Sequence, residues 1–229
     1  MSTKTGYLGL IVGPMFSGKT TRIVELYYQY KNEGKNVLVV NYDADRRYHD
    51  SMLSTHDRVM IPCLFTDRLC DLVCTDNMDY TYFSVENAEI NVAFSIKNRD
   101  EVSDLNAKMY KSADVVLINE GQFFSDLYVS VLSMIEVSKK TVHVCGLDGD
   151  FRREKFGEIL DLLPISDSIT KLTSKCANGC SFPALFSHRI SNEKEKVLIG
   201  SDIYLPLCRH CYVIANVSVC IGEENTFSK

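Results

Sequence analysis

The segment Gly13-Pro14-Met15-Phe16-Ser17-Gly18-Lys19-Thr20 constrains the fold of this chain more than any other stretch. It fits G-x-x-x-x-G-K-[ST], a loop whose backbone N–H groups turn inward to cradle phosphate oxygens. Its flanks supply the required context. Leu8-Gly9-Leu10-Ile11-Val12 reads as a buried strand, and residues 21–31 read as a helix whose N-terminus adds a partial positive charge. Lys19 is placed to reach the terminal phosphates, and the Thr20 hydroxyl to ligate Mg²⁺. An ordinary glycine turn would need neither the strand before nor the helix after.

Three more apolar runs follow: Val37-Leu38-Val39-Val40, Val115-Val116-Leu117-Ile118 and Val142-His143-Val144-Cys145-Gly146. Gly34 stops the first helix, and residues 127–137 are apolar at helical spacing. Almost wholly apolar strands alternating with helices imply an α/β domain with a mostly parallel sheet covered on both faces. Ligands of such sheets bind at the carboxyl ends of strands. Residues 13–20, 41–48, 119–124 and 147–156 should therefore converge on one cleft. Residues 66–112 lack a sustained period and are rich in Tyr and Asp. Cys70–Cys74 and Asp76–Tyr80 read there as an insertion rather than core, and residues 101–110 as a helix returning to the sheet.

Of the 229 residues, 45% are hydrophobic, enough for one moderate core and a small appendage. The net charge of −5 gives no general attraction to nucleic acid or anionic membranes. No apolar run approaches the ~18 residues of a membrane span. The N-terminus enters a strand almost at once, so a cytoplasmic chain without a secretory signal is expected. Nine cysteines, an odd number, argue for reduced thiols and a metal site over a disulfide framework. Cys176-x₃-Cys180 and Cys208-x₂-Cys211 have 27 residues between them and fit tetrahedral structural zinc. Asn178-Gly179 supplies the turn of the first knuckle. Cys70-x₃-Cys74 is a rival pair that could equally mark one helix face.

Asn119-Glu120 closes the third strand, where a carboxylate can abstract a proton or hold Mg²⁺ through water. Asn119 cannot act as a base, but its amide oxygen can accept from metal-bound water. Asp45-Arg46-Arg47-Tyr48 follows the second strand, and suits either Mg²⁺ and phosphate contacts or a surface charge cluster. Phe123, Phe124, Phe151 and Phe156 lie near the expected cleft, as base-stacking rings or as core.

These blocks, with Thr55-His56-Asp57, Glu120-Gly121-Gln122-Phe123-Phe124, Leu147-Asp148-Gly149-x-Phe151, Lys171-Leu172-Thr173 and the two knuckles, resemble type II thymidine kinases in kind and order. The resemblance implies a RecA-like P-loop domain over 1–172, interrupted by an insertion at about 64–113. A zinc-ribbon-like domain carrying a lasso loop would span 173–220, and a tail 221–229. It implies ATP-dependent phosphorylation of the thymidine 5′-hydroxyl, and of deoxyuridine, with Glu120 as base and Lys19 and Arg47 stabilising the transferring group. Nucleotide and Mg²⁺ contacts map onto Gly13 to Thr20, Asp45, Asn119 and Gln122. Thymidine contacts map onto Met15, Phe123, Leu147, Phe151, Phe156, Ser187, Val197, Ile199 and Tyr204. The lasso, residues 187–204, would lie over the base, and zinc would anchor its ends. A homotetramer inhibited by dTTP is also implied.

The chain departs from the family in three places. Asn119 stands where Asp is usual and should weaken Mg²⁺ binding, the first knuckle is one residue longer, and the insertion is long. The rival reading is a RecA-like ATPase acting on nucleic acid, which shares the expected strand order. The acidic charge and the single set of ATPase motifs weigh against it.

Overall fold

The computed structural model describes residues 5–44, 52–55, 58–73, 80–82, 92–94, 101–191, 193, 195–196, 198 and 203–224, with backbone alone at 80–82, 92–94, 101–104 and 217–224. In chain order these form β1 (Tyr7–Val12), α1 (Lys19–Asn32), β2 (Val37–Tyr42), β3 (Met52–Ser54), β4 (Met60–Pro62), β5 (Leu64–Thr66) and α2 (Cys70–Val73). Then come β6 (Tyr80–Tyr82), β7 (Val92–Phe94), α3 (Glu101–Ser112), β8 (Val115–Ile118), α4 (Leu127–Leu132), β9 (Thr141–Gly146) and β10 (Ser168–Lys171). The C-terminal part holds β11 (Ser174–Lys175), β12 (Pro183–Ala184), β13 (Phe186–Arg189), β14 (Tyr204–Leu207) and α5 (Arg209–Glu224).

Six strands form one sheet in the order β10-β1-β9-β8-β2-β5. Every neighbouring pair in it is parallel. Its central strands are the apolar runs, because a parallel sheet with crossover helices hides both faces. Side chains alternate between two cores. Leu8, Leu10, Val12, Val116, Ile118, Val142 and Val144 face α2, α4 and Ile159. Ile11, Val39, Val115, Leu117 and Cys145 face α1 and the β3–β4 hairpin through Ile23, Val24, Leu26, Leu53 and Ile61. Each fully buried Leu or Ile contributes about 2 kcal/mol of hydrophobic stabilisation.

The strand and helix expectations are met at β1, β2, β8, β9, α1 and α3. Gly34, at φ 73, ends α1 as foreseen. Its N–H donates to Lys31 O at 3.0 Å and the Lys35 N–H to Tyr30 O at 3.0 Å, the paired bonds of a Schellman cap. The helix foreseen at 127–137 is α4 followed by a π-turn over Ser133–Val137.

The expected insertion needs correcting at its start and end. Leu64–Thr66 is the edge strand of the main sheet, paired with Val40, Asn41 and Tyr42. Leu69, Leu72 and Val73 are buried in the larger core with Tyr110 of α3. The Asp126 carboxylate accepts the Leu69 and Cys70 N–H groups at 3.2 and 2.7 Å, tying α2 to the start of α4. Between these elements the described backbone is the antiparallel β6–β7 hairpin. Cys70 lies on α2, and Cys74 lies outside the described residues. Helix α5 runs to Glu224, past the expected domain end at 220. No helix among the described residues is long and apolar enough to cross a membrane.

His143 of β9 fits beneath Gly9, where an added Cβ would stand 2.5 Å from Nδ1. Its Nε2 bonds the Tyr30 hydroxyl at 2.9 Å. Burial, and then the nearby Arg22 cation, lower its pKa to about 4. The folded state therefore binds fewer protons than the unfolded state between the ordinary histidine value and about 4. Stability is complete above that ordinary value and falls as pH drops through the window, by up to about 3 kcal/mol. Urea unfolding at stepped pH should show this loss, with a shallower slope in His143→Gln. Equal slopes would assign the pH dependence to other groups.

Candidate active site

The glycine-rich loop of residues 13–20 follows β1, and Val12 lies level with Gly146 on β9. A Cβ on Gly13 would stand 2.5 Å from Leu172 O, so only glycine allows that approach. Phe16 and Gly18 have left-handed φ values of 62 and 84. Such kinks aim successive N–H groups into one concavity. The non-glycine kink costs about 1 kcal/mol. Two hydroxyls from the C-terminal part brace it. Ser174 Oγ donates to Phe16 O at 3.0 Å, and Ser187 Oγ accepts the Met15 N–H at 2.9 Å. Helix α1 begins with the Arg22 N–H donating to Gly18 O at 3.0 Å. Lys19 is buried, and its Nζ donates to Pro14 O at 2.6 Å. The buried Ser17 hydroxyl has no hydrogen-bond partner among the described residues.

Glu120 lies just past β8, at φ 53 and ψ 41. Gln122 fixes it. The Gln122 Nε2 donates to Glu120 Oε2 at 2.7 Å, and its Oε1 accepts the Leu147 N–H at 2.9 Å. One buried amide thus spans the ends of β8 and β9. Glycines make room for it: a Cβ on Gly146 would meet Gln122 Oε1 at 2.3 Å, and one on Gly157 would meet Gln122 O at 2.1 Å. Gln122, assigned on sequence to the nucleotide, is placed to orient Glu120. The Cys145 thiol feels both the Lys19 cation and the Glu120 carboxylate, which places these two charges around the end of β9. Burial dominates there and pushes the thiol up to about 12, so Cys145 is inert.

Asn119 is buried, and its Nδ2 donates to Asn41 Oδ1 at 2.9 Å. The two amides join the ends of β8 and β2, where a carboxylate would have added charge. Asp45, Arg46, Arg47, Tyr48, His56 and Asp57 lie outside the described residues, as do Val197 and Ile199.

The remaining thymidine contacts expected from sequence fall in small groups, each with its own partners. Phe123 meets Phe156 edge-on at 5.4 Å and Tyr42 at 5.3 Å. Phe124 instead is core, 1% exposed. Leu147 is joined to Gln122, and Met15 to Ser187, as above. Phe151 sits on a tight loop whose Asp150 Oδ1 accepts the Arg152 and Glu154 N–H groups at 2.8 and 2.9 Å. The Tyr212 hydroxyl of α5 donates to Phe151 O. The Arg189 guanidinium lies 3.8 Å from the Phe151 ring centre and also contacts Tyr204. Sequence reasoning missed Arg189, Ser174 and Tyr212. The one available signal was period-2 alternation along β13, which puts Arg189 on the same buried face as Ser187.

The four knuckle cysteines gather as expected, with all sulfurs within 4.8 Å of one another. Cys180 Sγ lies 3.4 Å from Cys208 Sγ and 3.9 Å from Cys211 Sγ. Thiolates placed tetrahedrally about 2.3 Å from a common ion would lie about 3.8 Å apart, so the donor set fits zinc. The Cys208 N–H, bonded to Cys176 Sγ, pulls that thiol down to about 6. The Cys176 thiol pushes Cys180 up to about 12, so the cluster disfavours full ionisation without a cation.

A family model described as thymidine kinase matches residues 6–80 and 72–212. The thymidine kinase of Oryza sativa subsp. japonica is 34% identical over 216 residues, 93% of this chain and 69% of that protein. The thymidine kinase of Yaba monkey tumor virus (strain VR587) is 34% identical over 217 residues, 94% of this chain and 99% of that protein. The thymidine kinase of Vaccinia virus (strain Western Reserve) is 32% identical over 209 residues, 91% and 97% of the two chains. A parallel sheet whose first strand ends in the glycine-rich loop of residues 13–20, a glutamate braced at the end of β8, a cluster of four thiols, and likeness along nearly the whole length agree: the chain belongs to the thymidine kinase family.

Proposed function

We propose that this chain transfers the γ-phosphoryl group of ATP to the 5′-hydroxyl of thymidine, and also of deoxyuridine. The observation that carries the reading is Glu120, a carboxylate held by Gln122 at the strand end beside the phosphate loop. As the 5′-oxygen bonds to the γ-phosphorus, Glu120 takes its proton, and the bond to the bridging oxygen breaks to release ADP. Lys19 and the loop N–H groups oppose the charge on the transferring group, and Arg47 is proposed to join them. The Thr20 hydroxyl and the Asn119 amide oxygen are hard donors suited to Mg²⁺ and its waters; when bound there, the ion neutralises charge on the phosphate chain. Asp45 is proposed to complete that site.

The base is assigned to Met15, Phe123, Leu147, Phe151, Phe156, Ser187, Val197, Ile199 and Tyr204. Structural zinc is assigned to Cys176, Cys180, Cys208 and Cys211. A homotetramer, feedback inhibition by dTTP and a cytoplasmic location complete the proposal. The location draws support from the thiols of Cys70 and Cys145, which form no disulfide among the described residues and suit a reducing compartment.

The deciding assay is conversion of thymidine to its 5′-monophosphate with ATP and Mg²⁺, beside deoxycytidine. Thymidine and deoxyuridine should turn over, and deoxycytidine should not. ATP hydrolysis stimulated by DNA, without nucleoside turnover, would favour the nucleic-acid ATPase.

A further inference from the structure

Arg189 stands out among the buried charges. It is 5% exposed, on β13. Its Nη1 donates to Glu193 O at 3.2 Å and to Glu195 O, and its Nη2 to Lys196 O at 3.0 Å. Nε and Nη2 also reach the Tyr204 hydroxyl at 3.2 and 2.6 Å. That hydroxyl donates onward to Leu198 O at 3.3 Å. Among the described residues its hydrogen-bond acceptors are thus carbonyls and a phenol, not carboxylates. The face of the guanidinium stacks on Phe151 at 3.8 Å.

A guanidinium offers five N–H donors in a rigid plane and accepts nothing. When it is buried, each donor needs an acceptor in that plane, so the acceptors must come to it. Here they come from one short stretch of backbone. The carbonyls that precede and follow position 197 in sequence are both held, one by Arg189 and the other by Tyr204. Glu193, Glu195 and Lys196 are exposed, and Lys196 adds a tether by donating to Lys155 O at 2.9 Å, with Asp150 Oδ2 3.6 Å away.

We propose that Arg189 is a positioning residue for the nucleoside: it fixes the carbonyls of Glu193, Glu195 and Lys196, and through Tyr204 that of Leu198, beside the Phe151 ring, and so sets nucleoside affinity. The inference rests on the kinase reading above, because Phe151 and that backbone matter to the reaction only if a base binds between them. Arg189 touches no reacting atom. Its loss should therefore raise the nucleoside KM and leave the chemical step alone.

The test compares wild type, Arg189→Met and Arg189→Lys in the zinc-loaded full chain. Zinc content and thermal melting establish folding. Arg189→Met should raise the thymidine KM by at least about tenfold, with kcat and the ATP KM within about threefold of wild type. Arg189→Lys keeps the charge without the planar fork, so it should fall between the two. Trypsin should cut after the lysines of 190–204 faster in the same order. An unchanged thymidine KM in a folded variant, or a fall in kcat with KM constant, would overturn the proposal. Should Arg189→Met fail to fold, Arg189→Lys decides by the same criterion. If wild type phosphorylates no thymidine, the kinase reading fails, and the tryptic rates alone still show whether Arg189 holds this backbone.

Discussion

Glu120→Gln is expected to lower kcat by about 10²–10⁴ while leaving thymidine binding, zinc content and melting temperature close to wild type. The geometry makes this substitution unusually clean. Glu120 is one of the few non-glycine residues in the left-handed region, at φ 53. Gln pays the same backbone strain of about 1 kcal/mol, so the kink is unchanged. Its carbonyl oxygen can still accept from Gln122 Nε2, the bond now made at 2.7 Å to Oε2. What is lost is the ability to take a proton. Gln122→Ala is the complementary variant. It keeps the carboxylate but removes its tether and the link to the Leu147 N–H. Its kcat should fall by a smaller factor, about tenfold, because the base remains but is less well oriented. Single-turnover rates with thymidine separate the two effects. A Glu120→Gln protein with wild-type kcat would remove Glu120 from the chemistry and point to water or a phosphate oxygen as proton acceptor.

The sheet centre was legible because its physics is local. Each of β1, β2, β8 and β9 is a short apolar run, and a strand buried on both faces must be one. The phosphate loop was legible because its glycines answer to geometry, as the contact between Gly13 and Leu172 O illustrates. The edges were not. All four residues of β10 are exposed, and β5 is three residues long, so neither carries an apolar signature. The burial of Leu69, Leu72 and Val73 was hidden for a different reason. Their N-terminal cap is the carboxylate of Asp126, far along the chain. The same holds at the site. Residue identities placed Glu120 and the thiols, but the bridges made by Gln122, Ser174 and Arg189 join positions whose spacing follows no period. Asn119 was visible as a departure, yet its pairing with Asn41 depends on two strands meeting side by side.

Loss of the proposed thiol-bound zinc should cut nucleoside turnover steeply yet leave the six-stranded sheet folded. The buried apolar cluster of the C-terminal part is Cys176, Ala184, Leu207, Cys208 and Tyr212, of which two are proposed ligands themselves. A core of that size cannot offset the chain entropy of about 1–2 kcal/mol per residue, which is why units below roughly 70–80 residues so often carry a metal or disulfides. On the zinc proposal, the ordering energy comes from the ion. Cys208→Ser removes one ligand and the buried thiol at the centre of the cluster. Three connections to the site should fail together. Tyr212, next to Cys211, would release Phe151 O; Ser187 would release the Met15 N–H; and Ser174 would release Phe16 O. The first loosens the base side, and the other two unbrace the strained phosphate loop. The expected result is a fall in kcat/KM for thymidine of at least about 100-fold, with hydrogen-exchange protection lost at β12–β14 and kept at β1, β8 and β9. Removing zinc from wild type with a chelator should give the same pattern, reversed by zinc and not by magnesium. Full thymidine turnover in Cys208→Ser at sub-stoichiometric zinc would show that the thiol cluster holds the domain without an ion. It would also break the proposed chain of contacts from the knuckles to the base.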